Sequence, residues 1–221
     1  KTTYNKLTSD IYDYVQAKTS SPVENSILEH LKINKSLQLS MERFSSHKLY
    51  YRIGGGRYWK IFTSFSPTFI LNGIQTTSSR ENYLYLRTED ERDITIALLS
   101  SSLFYWFFIM TTNCRDLNPS DLKNFPFTMP SRENDIYKKL VQLSQKLMTE
   151  YQKKSALKKK VSKSTGDITY QEFYPRLSKS VIDEIDSALA ELYCFSEEEL
   201  DYIINYDIKF RMGDELSADE D

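Results

Sequence analysis

Basic side chains, aromatic side chains and glycines are concentrated in residues 47–60, and no other segment is better suited to binding chemistry. In an extended strand alternate residues point to opposite faces, so Lys48 and Arg52 share the face opposite Leu49. The glycine turn that follows is expected to bring Arg57 back beside Arg52. A guanidinium group binds a phosphate, or the O6/N7 edge of guanine, through two parallel hydrogen bonds. The segment is therefore suited to nucleic acid. A plain β-hairpin, with arginines that only face water, fits the composition equally well.

The candidate nucleic-acid-binding residues include glycines, because a residue without a side chain lets the backbone approach a ligand closely. Arg52, Arg57 and Lys60 come first, since they carry the positive charge of the hairpin. Tyr58 and Trp59 rank lower, because an aromatic side chain belongs to a core at least as often as to a DNA contact. The full set of candidates is Lys48, Arg52, Gly54, Gly55, Arg57, Tyr58, Trp59, Lys60, Arg80 and Asn82.

The charges are distributed unevenly along the 221 residues, although the formal net charge is only −2. Residues 183–221 contain fourteen acidic and two basic residues, a net charge of −12, which leaves +10 for residues 1–182. From Arg43 to Arg80 there is no acidic residue at all. A polyanion such as double-stranded DNA is the partner that such a basic surface favours.

Motifs for catalysis and cofactor binding are missing from the sequence. It has no glycine-rich phosphate loop, no HExxH or CxxC metal motif and no GxSxG nucleophile elbow. His30 and His47 have no Cys or second His at ligand spacing, so ordinary packing or surface roles are favoured for both. We therefore expect no catalytic residue, no metal site and no bound cofactor in this chain.

The uncharged run from Ile94 to Cys114 is long enough to cross a membrane. Three consecutive serines, several threonines and the absence of flanking Lys/Arg clusters favour a buried helix, or a helix and a strand, in a soluble core. The two cysteines, Cys114 and Cys194, stand 80 positions apart and indicate neither a disulfide framework nor a metal site. We expect a cytoplasmic protein without a membrane segment.

Hydrophobic periodicity predicts the elements that hold the candidate residues. We expect an α+β fold, in which a twisted, largely antiparallel sheet packs against a buried apolar helix, a long helix and a C-terminal helix pair. The expected segments are a helical N-terminal segment (1–35), a β-rich DNA-recognition part (36–130), the long helix (131–163), the helix pair (164–213) and a disordered acidic tail (214–221).

Each of the three C-terminal helices has an apolar stripe, Ser196 and Glu199 have the spacing of a capping box at the start of the last helix, and residues 117–130 are expected to form an irregular connector. Asp183, Glu184 and Asp186 are interpreted as solvated acids on a helix face.

Several sequence blocks resemble one family, the type IIG restriction enzymes, which join a nuclease, an adenine-N6 DNA methyltransferase and a target-recognition domain in one chain. Four shorter blocks are YRIGGGRYWKIF (51–62), SSRENYLYL (78–86), LLSSSLFYWFF (98–108) and NFPF (124–127). The C-terminal blocks QEFYPRLSKSVIDEID (171–186) and FSEEELDYIINYDIKFRMG (195–213) are more similar still. One departure is Cys194, where the resemblance implies glycine at a left-handed helix stop.

The resemblance implies that the chain is the target-recognition region of such an enzyme. The methyltransferase and nuclease domains, with S-adenosylmethionine and Mg²⁺ as their cofactors, would then lie in the parent chain outside this sequence. Two other functions stay open: a protein-interaction module that docks on a partner subunit, and an enzyme with a dispersed site. Residues 183–201 contain eight acids and no base, which argues against DNA reading by the terminal helices.

Overall fold

The computed structural model describes residues 11–54, 59–162 and 166–206, and within them the chain forms eight α-helices and eight strands. The helices are α1 (residues 11–18), α2 (Pro22–Lys32), α3 (Glu89–Leu99), α4 (Ser102–Thr111), α5 (Pro119–Lys123), α6 (Asp135–Lys154), α7 (Lys179–Tyr193) and α8 (Glu197–Asn205). The strands are β1 (Met41–Glu42), β2 (His47–Arg52), β3 (Phe62–Thr63), β4 (Phe69–Leu71), β5 (Ile74–Gln75), β6 (Glu81–Leu86), β7 (Ala156–Ser162) and β8 (Gly166–Glu172). The predicted α+β class is confirmed.

The strands form two antiparallel four-stranded sheets, where a single sheet was expected. The first sheet has the order β1-β6-β2-β3 and the second the order β5-β4-β8-β7. In the first sheet, β2 and β6 pair through Leu49↔Leu84 and Arg52↔Glu81. The second sheet joins β4 to β8, strands that are far apart in the sequence, so no local pattern could reveal the division.

The uncharged run from Ile94 to Cys114 forms the end of α3 and all of α4, two helices that meet at an angle of 65°. Ser101 caps α4 through its side chain, which accepts a hydrogen bond from the Phe104 N–H at 3.0 Å. Ser100 and Ser101 therefore divide the uncharged run into two helices. Trp106 is fully buried among other aromatic side chains, as the expectation of a buried apolar helix requires.

Among the described residues, no single helix has the length and apolar composition needed to cross a membrane. Helices α3 and α4 meet those two criteria only when they are taken together as a bent pair.

The predicted apolar stripes of the three C-terminal helices are confirmed. Leu140 and Leu147 of α6 and Ile185 of α7 are fully buried, and Ile203 of α8 is 1% exposed. Helix α8 begins with the predicted capping box, in which Ser196 and Glu199 exchange backbone and side-chain hydrogen bonds. Helix α6 packs against both α3 and α7, so these three helices enclose part of the core.

The long helix ends at Lys154, so the expectation that it continues to residue 163 is wrong. Ser155 has an extended backbone with ψ of 159°, and the next seven residues, β7, pair along their whole length with β8. The hydrogen bonds of this hairpin override the modest helix preference of the lysines. The range expected to hold only the helix pair, residues 164–213, therefore also contains strand β8.

The connector from Leu117 to Pro130, expected to be irregular, contains the short helix α5. Pro119 stands in its first turn, and Asn118 and Asp121 form a capping box. Residues 1–10 and the acidic tail, 214–221, lie outside the described residues.

Candidate nucleic-acid interface

Strand β2 carries the candidate residues on alternate sides, as its sequence predicts. Leu49 and Tyr51 are buried against the core, whereas Lys48 is half-buried and Arg52 is exposed. The alternation holds because one face of the first sheet packs against α3 and buries the side chains on that side. Strand β2 thus presents its basic residues on the outer face of this sheet.

Arg52 and Arg80 lie beside each other at the end of β2 and the start of β6. The Arg52 Nε donates a hydrogen bond to the Gly54 carbonyl at 2.9 Å, which orients the guanidinium group. Partial burial lowers the pKa of Arg52 from its ordinary value, and the neighbouring Arg80 guanidinium lowers it further. Two cations that repel each other at an exposed edge form a position where a bound anion is stabilised.

The acidic residue paired with Arg52 in the ladder is Glu81. Its carboxylate accepts a hydrogen bond from the Ser66 hydroxyl at 2.9 Å. In the part of the chain that the structure describes, neither Arg52 nor Arg80 forms an ion pair. The arginine pair is therefore not tied up in an ion pair within the described residues, although the carboxylates of Glu81 and Asp116 lie near it.

Gly54 is buried where the end of β2 meets the segment before β6. The Ile53 N–H donates to the Arg80 carbonyl at 2.9 Å, which brings the two segments together. A Cβ built on Gly54 would lie 2.7 Å from a carboxylate oxygen of Asp116 and 4.0 Å from the Arg80 guanidinium. The glycine therefore leaves space for the Asp116 side chain beside the arginine pair.

Three tyrosines and a lysine cover the outer face of the first sheet beyond the arginines. The Lys48 Nζ lies 4.5 Å from the centre of the Tyr83 ring and 5.6 Å from that of Tyr85. Tyr50 contacts Tyr83 edge to face, with ring centres 6.2 Å apart. The candidate set missed these tyrosines, although the alternation in Asn-Tyr-Leu-Tyr-Leu along β6 is a signal that could have found them.

Asn82 does not join the arginines on the outer face. It pairs with Tyr51 in the ladder, so the two side chains share the inner face of the sheet. The Asn82 Oδ1 accepts a hydrogen bond from the Tyr83 N–H at 2.8 Å. The structure therefore separates Asn82 from Arg52 and Arg80.

Trp59 packs against the core. Its ring stacks on Tyr105 of α4 with ring centres 5.1 Å apart. It also lines a narrow cleft together with Phe104 and Phe108. The sequence left a core role open for Trp59, and the structure shows that role.

Lys60 is buried in the same aromatic cleft, with only 9% of its surface exposed. Its Nζ lies 5.5 Å from the centre of the Phe108 ring and has no hydrogen-bond partner among the described residues. Burial lowers the pKa of Lys60, and the charges of Asp116 and Cys114 partly offset that effect. The ammonium group thus lies inside the molecule rather than on the exposed face with Arg52.

Gly55, Arg57 and Tyr58 lie outside the described residues, so their place beside Arg52 stays a prediction. The flanking ladder does limit the geometry, because β2 and β3 pair through Tyr51↔Phe62. The connection between these strands is consequently longer than a two-residue glycine turn.

The described residues contain no group of three or more His, Cys, Asp or Glu side chains that could hold a metal ion. His30 lies 3.5 Å from the carboxylate of Glu199 and contacts Phe195 edge to face, an ordinary packing role. His47 lies in β2 at the end of the ladder, opposite Leu86.

Comparison of the chain with protein-family models, with curated proteins and with solved structures finds no match in any of the three.

Proposed function

We propose that this chain is the DNA-recognition module of a larger type IIG restriction-modification enzyme. The observation that carries the proposal is the pair of exposed guanidinium groups of Arg52 and Arg80, held side by side without an ion-pair partner in the described part of the chain. Each group has the fork geometry that binds a phosphate or a guanine edge through two hydrogen bonds. In this proposal one arginine reads a base in the duplex and the other holds its backbone.

The surroundings of the arginines support a duplex as the ligand. Lys48 and the tyrosines of the outer face extend the basic edge along the first sheet. Tyrosine hydroxyls and lysine ammonium groups are common donors to DNA phosphates. A duplex lying along this face would meet Lys48, Arg52 and the tyrosine hydroxyls, beside the acidic residues Glu42 and Glu81 of the same face.

The acidic C-terminal helices do not oppose this role, because part of their charge is neutralised within the chain. Lys139 and Lys146 of α6 form ion pairs of 2.7 Å with Glu191 and Glu184 of α7. These contacts tie the long helix to the helix pair on the surface. In this proposal α7 and α8 support the recognition face and do not touch DNA.

Methylation and cleavage belong, in this proposal, to the methyltransferase and nuclease domains of the parent chain, in the cytoplasm. S-adenosylmethionine and Mg²⁺ would be bound there, as the resemblance in the C-terminal blocks implies. The recognition module alone is expected to transfer no methyl group and to cut no DNA.

The test is a binding selection from duplexes with randomised positions, because the recognised sequence is unknown. The wild-type protein is expected to enrich one motif, and Arg52→Ala or Arg80→Ala to relax the preference at one base position. An arginine bidentate to guanine contributes about 1–3 kcal/mol of discrimination. Arg132→Ala, which removes an exposed arginine from the loop before α6, is the matched control. Enrichment of no motif by the wild-type protein would contradict the proposal.

A second function, docking on a partner subunit, is favoured by the outer face of α8. Glu197, Glu198 and Asp201 are exposed there, and none of them forms an ion pair within the described part of the chain. The test is whether this chain captures a domain of the parent enzyme in the absence of DNA. Capture by the wild-type protein that is lost in the triple variant Glu197→Gln, Glu198→Gln and Asp201→Asn would support this function.

A further inference from the structure

The second sheet lacks a core of its own. None of the described side chains in β4, β5, β7 and β8 is buried. Three apolar side chains stand exposed, with 71% of the surface of Ile74, 61% of Leu157 and 78% of Val161 open to solvent. Exposed apolar side chains gathered on one sheet mark an interaction site.

The ladder divides this sheet into two chemically different faces. Lys158 pairs with Tyr170, and Tyr170 with Phe69, while Lys160 pairs with Ile168. Directly paired residues of antiparallel strands point to the same side. We call this side the lysine–tyrosine face and define it by Phe69, Leu71, Ile74, Lys158, Lys160, Ile168, Tyr170 and Glu172.

The opposite face carries Lys159, paired with Thr169, and Ile70 beside them, together with the exposed Leu157 and Val161. Lys159 and Lys160 are thus adjacent, exposed lysines of one strand that point to opposite sides of the sheet.

The second sheet lies next to the arginine end of the first sheet, because the hydroxyl of Ser66, three residues before β4, donates a hydrogen bond at 2.9 Å to the carboxylate of Glu81, the ladder partner of Arg52. The Tyr170 phenol lies close enough to Arg52 to act on its guanidinium group electrostatically. Tyr170 stands in the middle strand pair of the second sheet, and Arg52 at the end of β2 in the first sheet. The two sheets therefore contribute to one surface.

We propose that the lysine–tyrosine face binds the backbone of the same DNA duplex that Arg52 and Arg80 bind, an inference that rests on the proposed function. Charge favours DNA over a protein domain, because Lys158 and Lys160 on this face outnumber Glu172, the acidic residue that the four strands place there. Two adjacent strands are narrow enough to lie in or along the major groove, which is about 12 Å wide. The half-exposed aromatic and aliphatic side chains then contact sugars and thymine methyl groups.

Lys160 is the side chain on which the proposal is tested. Lys158 is less suitable, because it lies 3.7 Å from the Glu172 carboxylate and so already has a partner. Lys160→Gln removes one charge from the lysine–tyrosine face, and Lys159→Gln removes one charge from the opposite face of the same strand. Both positions are exposed, so neither change disturbs a core. Thermal melting of both variants checks that their folding is unchanged.

The measurement is duplex affinity at several salt concentrations, because each phosphate contact adds about 0.9 to the slope of log K against log salt. Lys160→Gln is expected to reduce the slope by about one, so that between about 50 and 200 mM salt the wild-type affinity falls roughly three- to fourfold more than that of the variant. Lys159→Gln is expected to keep the wild-type slope.

Equal slopes for the wild-type protein and both variants would overturn the inference and favour a protein domain as the partner of this sheet. Equal reductions of the salt slope in the two variants would also overturn it, because the effect of a lysine would then not depend on the face of the sheet that it occupies. Failure of the wild-type protein to bind any duplex would overturn the proposed function as well, which separates the two kinds of failure.

Discussion

The carboxylate of Asp186 in α7 accepts a hydrogen bond from the backbone N–H of Ser102 at 2.8 Å, which places a buried acid at the N-terminus of α4. Asp186 is only 2% exposed, and Ser102 is fully buried. A helix N-terminus carries unsatisfied N–H groups and a partial positive charge, so a carboxylate stabilises it. This contact joins the most aromatic helix of the core to the C-terminal helix pair.

Asp186→Ala is expected to lower the free energy of unfolding by about 1–3 kcal/mol, because it leaves a buried N–H without its acceptor. Glu184→Ala is the control, since Glu184 forms only a surface ion pair with Lys146 and its loss costs about 0–1 kcal/mol. Chemical denaturation of the two variants checks the difference. Equal stability losses would mean that the Asp186 contact does not hold α4.

Lys60→Met is expected to raise the free energy of unfolding by about 1–3 kcal/mol, because it removes a buried ammonium group without a hydrogen-bond partner among the described residues. Methionine fills a similar volume in the aromatic cleft. Lys159→Met, at an exposed position, is the control and should change stability little. A loss of stability in Lys60→Met would show that the ammonium group is well paired in the folded protein.

The same variant tests the pH dependence. Burial lowers the pKa of Lys60 below its ordinary value of 10.5, so in the alkaline range the unfolded state binds more protons than the folded state. Lys60 therefore destabilises the folded protein less as the pH rises toward 10.5. The stability advantage of Lys60→Met should shrink over that range, as denaturation at a series of pH values measures. An advantage independent of pH would contradict a lowered pKa.

Cys194→Gly is expected to stabilise the protein by about 1 kcal/mol, because Cys194 ends α7 in the left-handed region with φ of 58°. The Phe195 N–H donates to the Ala190 carbonyl at 2.9 Å across this stop, so the turn itself is well formed. Cys194→Ala keeps a Cβ and serves as the control, with little change expected. A melting temperature of the glycine variant at or below that of the alanine variant would contradict the inference that the left-handed backbone at Cys194 is strained.

The left-handed stop at Cys194 and the stripes of α6, α7 and α8 were predictable because they are local. A helix reveals its buried face through side chains three and four positions apart, as Leu140, Leu143 and Leu147 do. A helix end likewise depends on a few neighbouring residues, which is why Ser196 and Glu199 identified the start of α8.

The extent of the second sheet was not predictable, because its pairing is not local. The lysines of β7 are compatible with a helix, and only the hydrogen bonds to β8 make the segment a strand. Strand β4 then joins this hairpin through Ile70↔Thr169, a contact between distant parts of the chain. Sequence periodicity contains no information on such partners.

The candidate site was predicted in part. Alternation along β2 correctly placed Arg52 outside and Tyr51 inside, because it depends only on the strand period. The burial of Lys60 and the inward position of Asn82 depend on α4 and on the β2–β6 register, which the sequence does not reveal. Asp186 was interpreted as one of several solvated acids, and its burial against α4 corrects that interpretation.

Duplex binding by Arg52→Ala/Arg80→Ala, measured against salt concentration, tests the central claim most directly. If both arginines contact the duplex backbone, the double variant is expected to lose affinity, and its slope of log K against log salt should fall by about two. If one arginine instead reads a guanine, the slope should fall by about one, with a further loss of about 1–3 kcal/mol on the preferred sequence only. A double variant with the affinity, the sequence preference and the salt slope of the wild-type protein would contradict DNA recognition by this face.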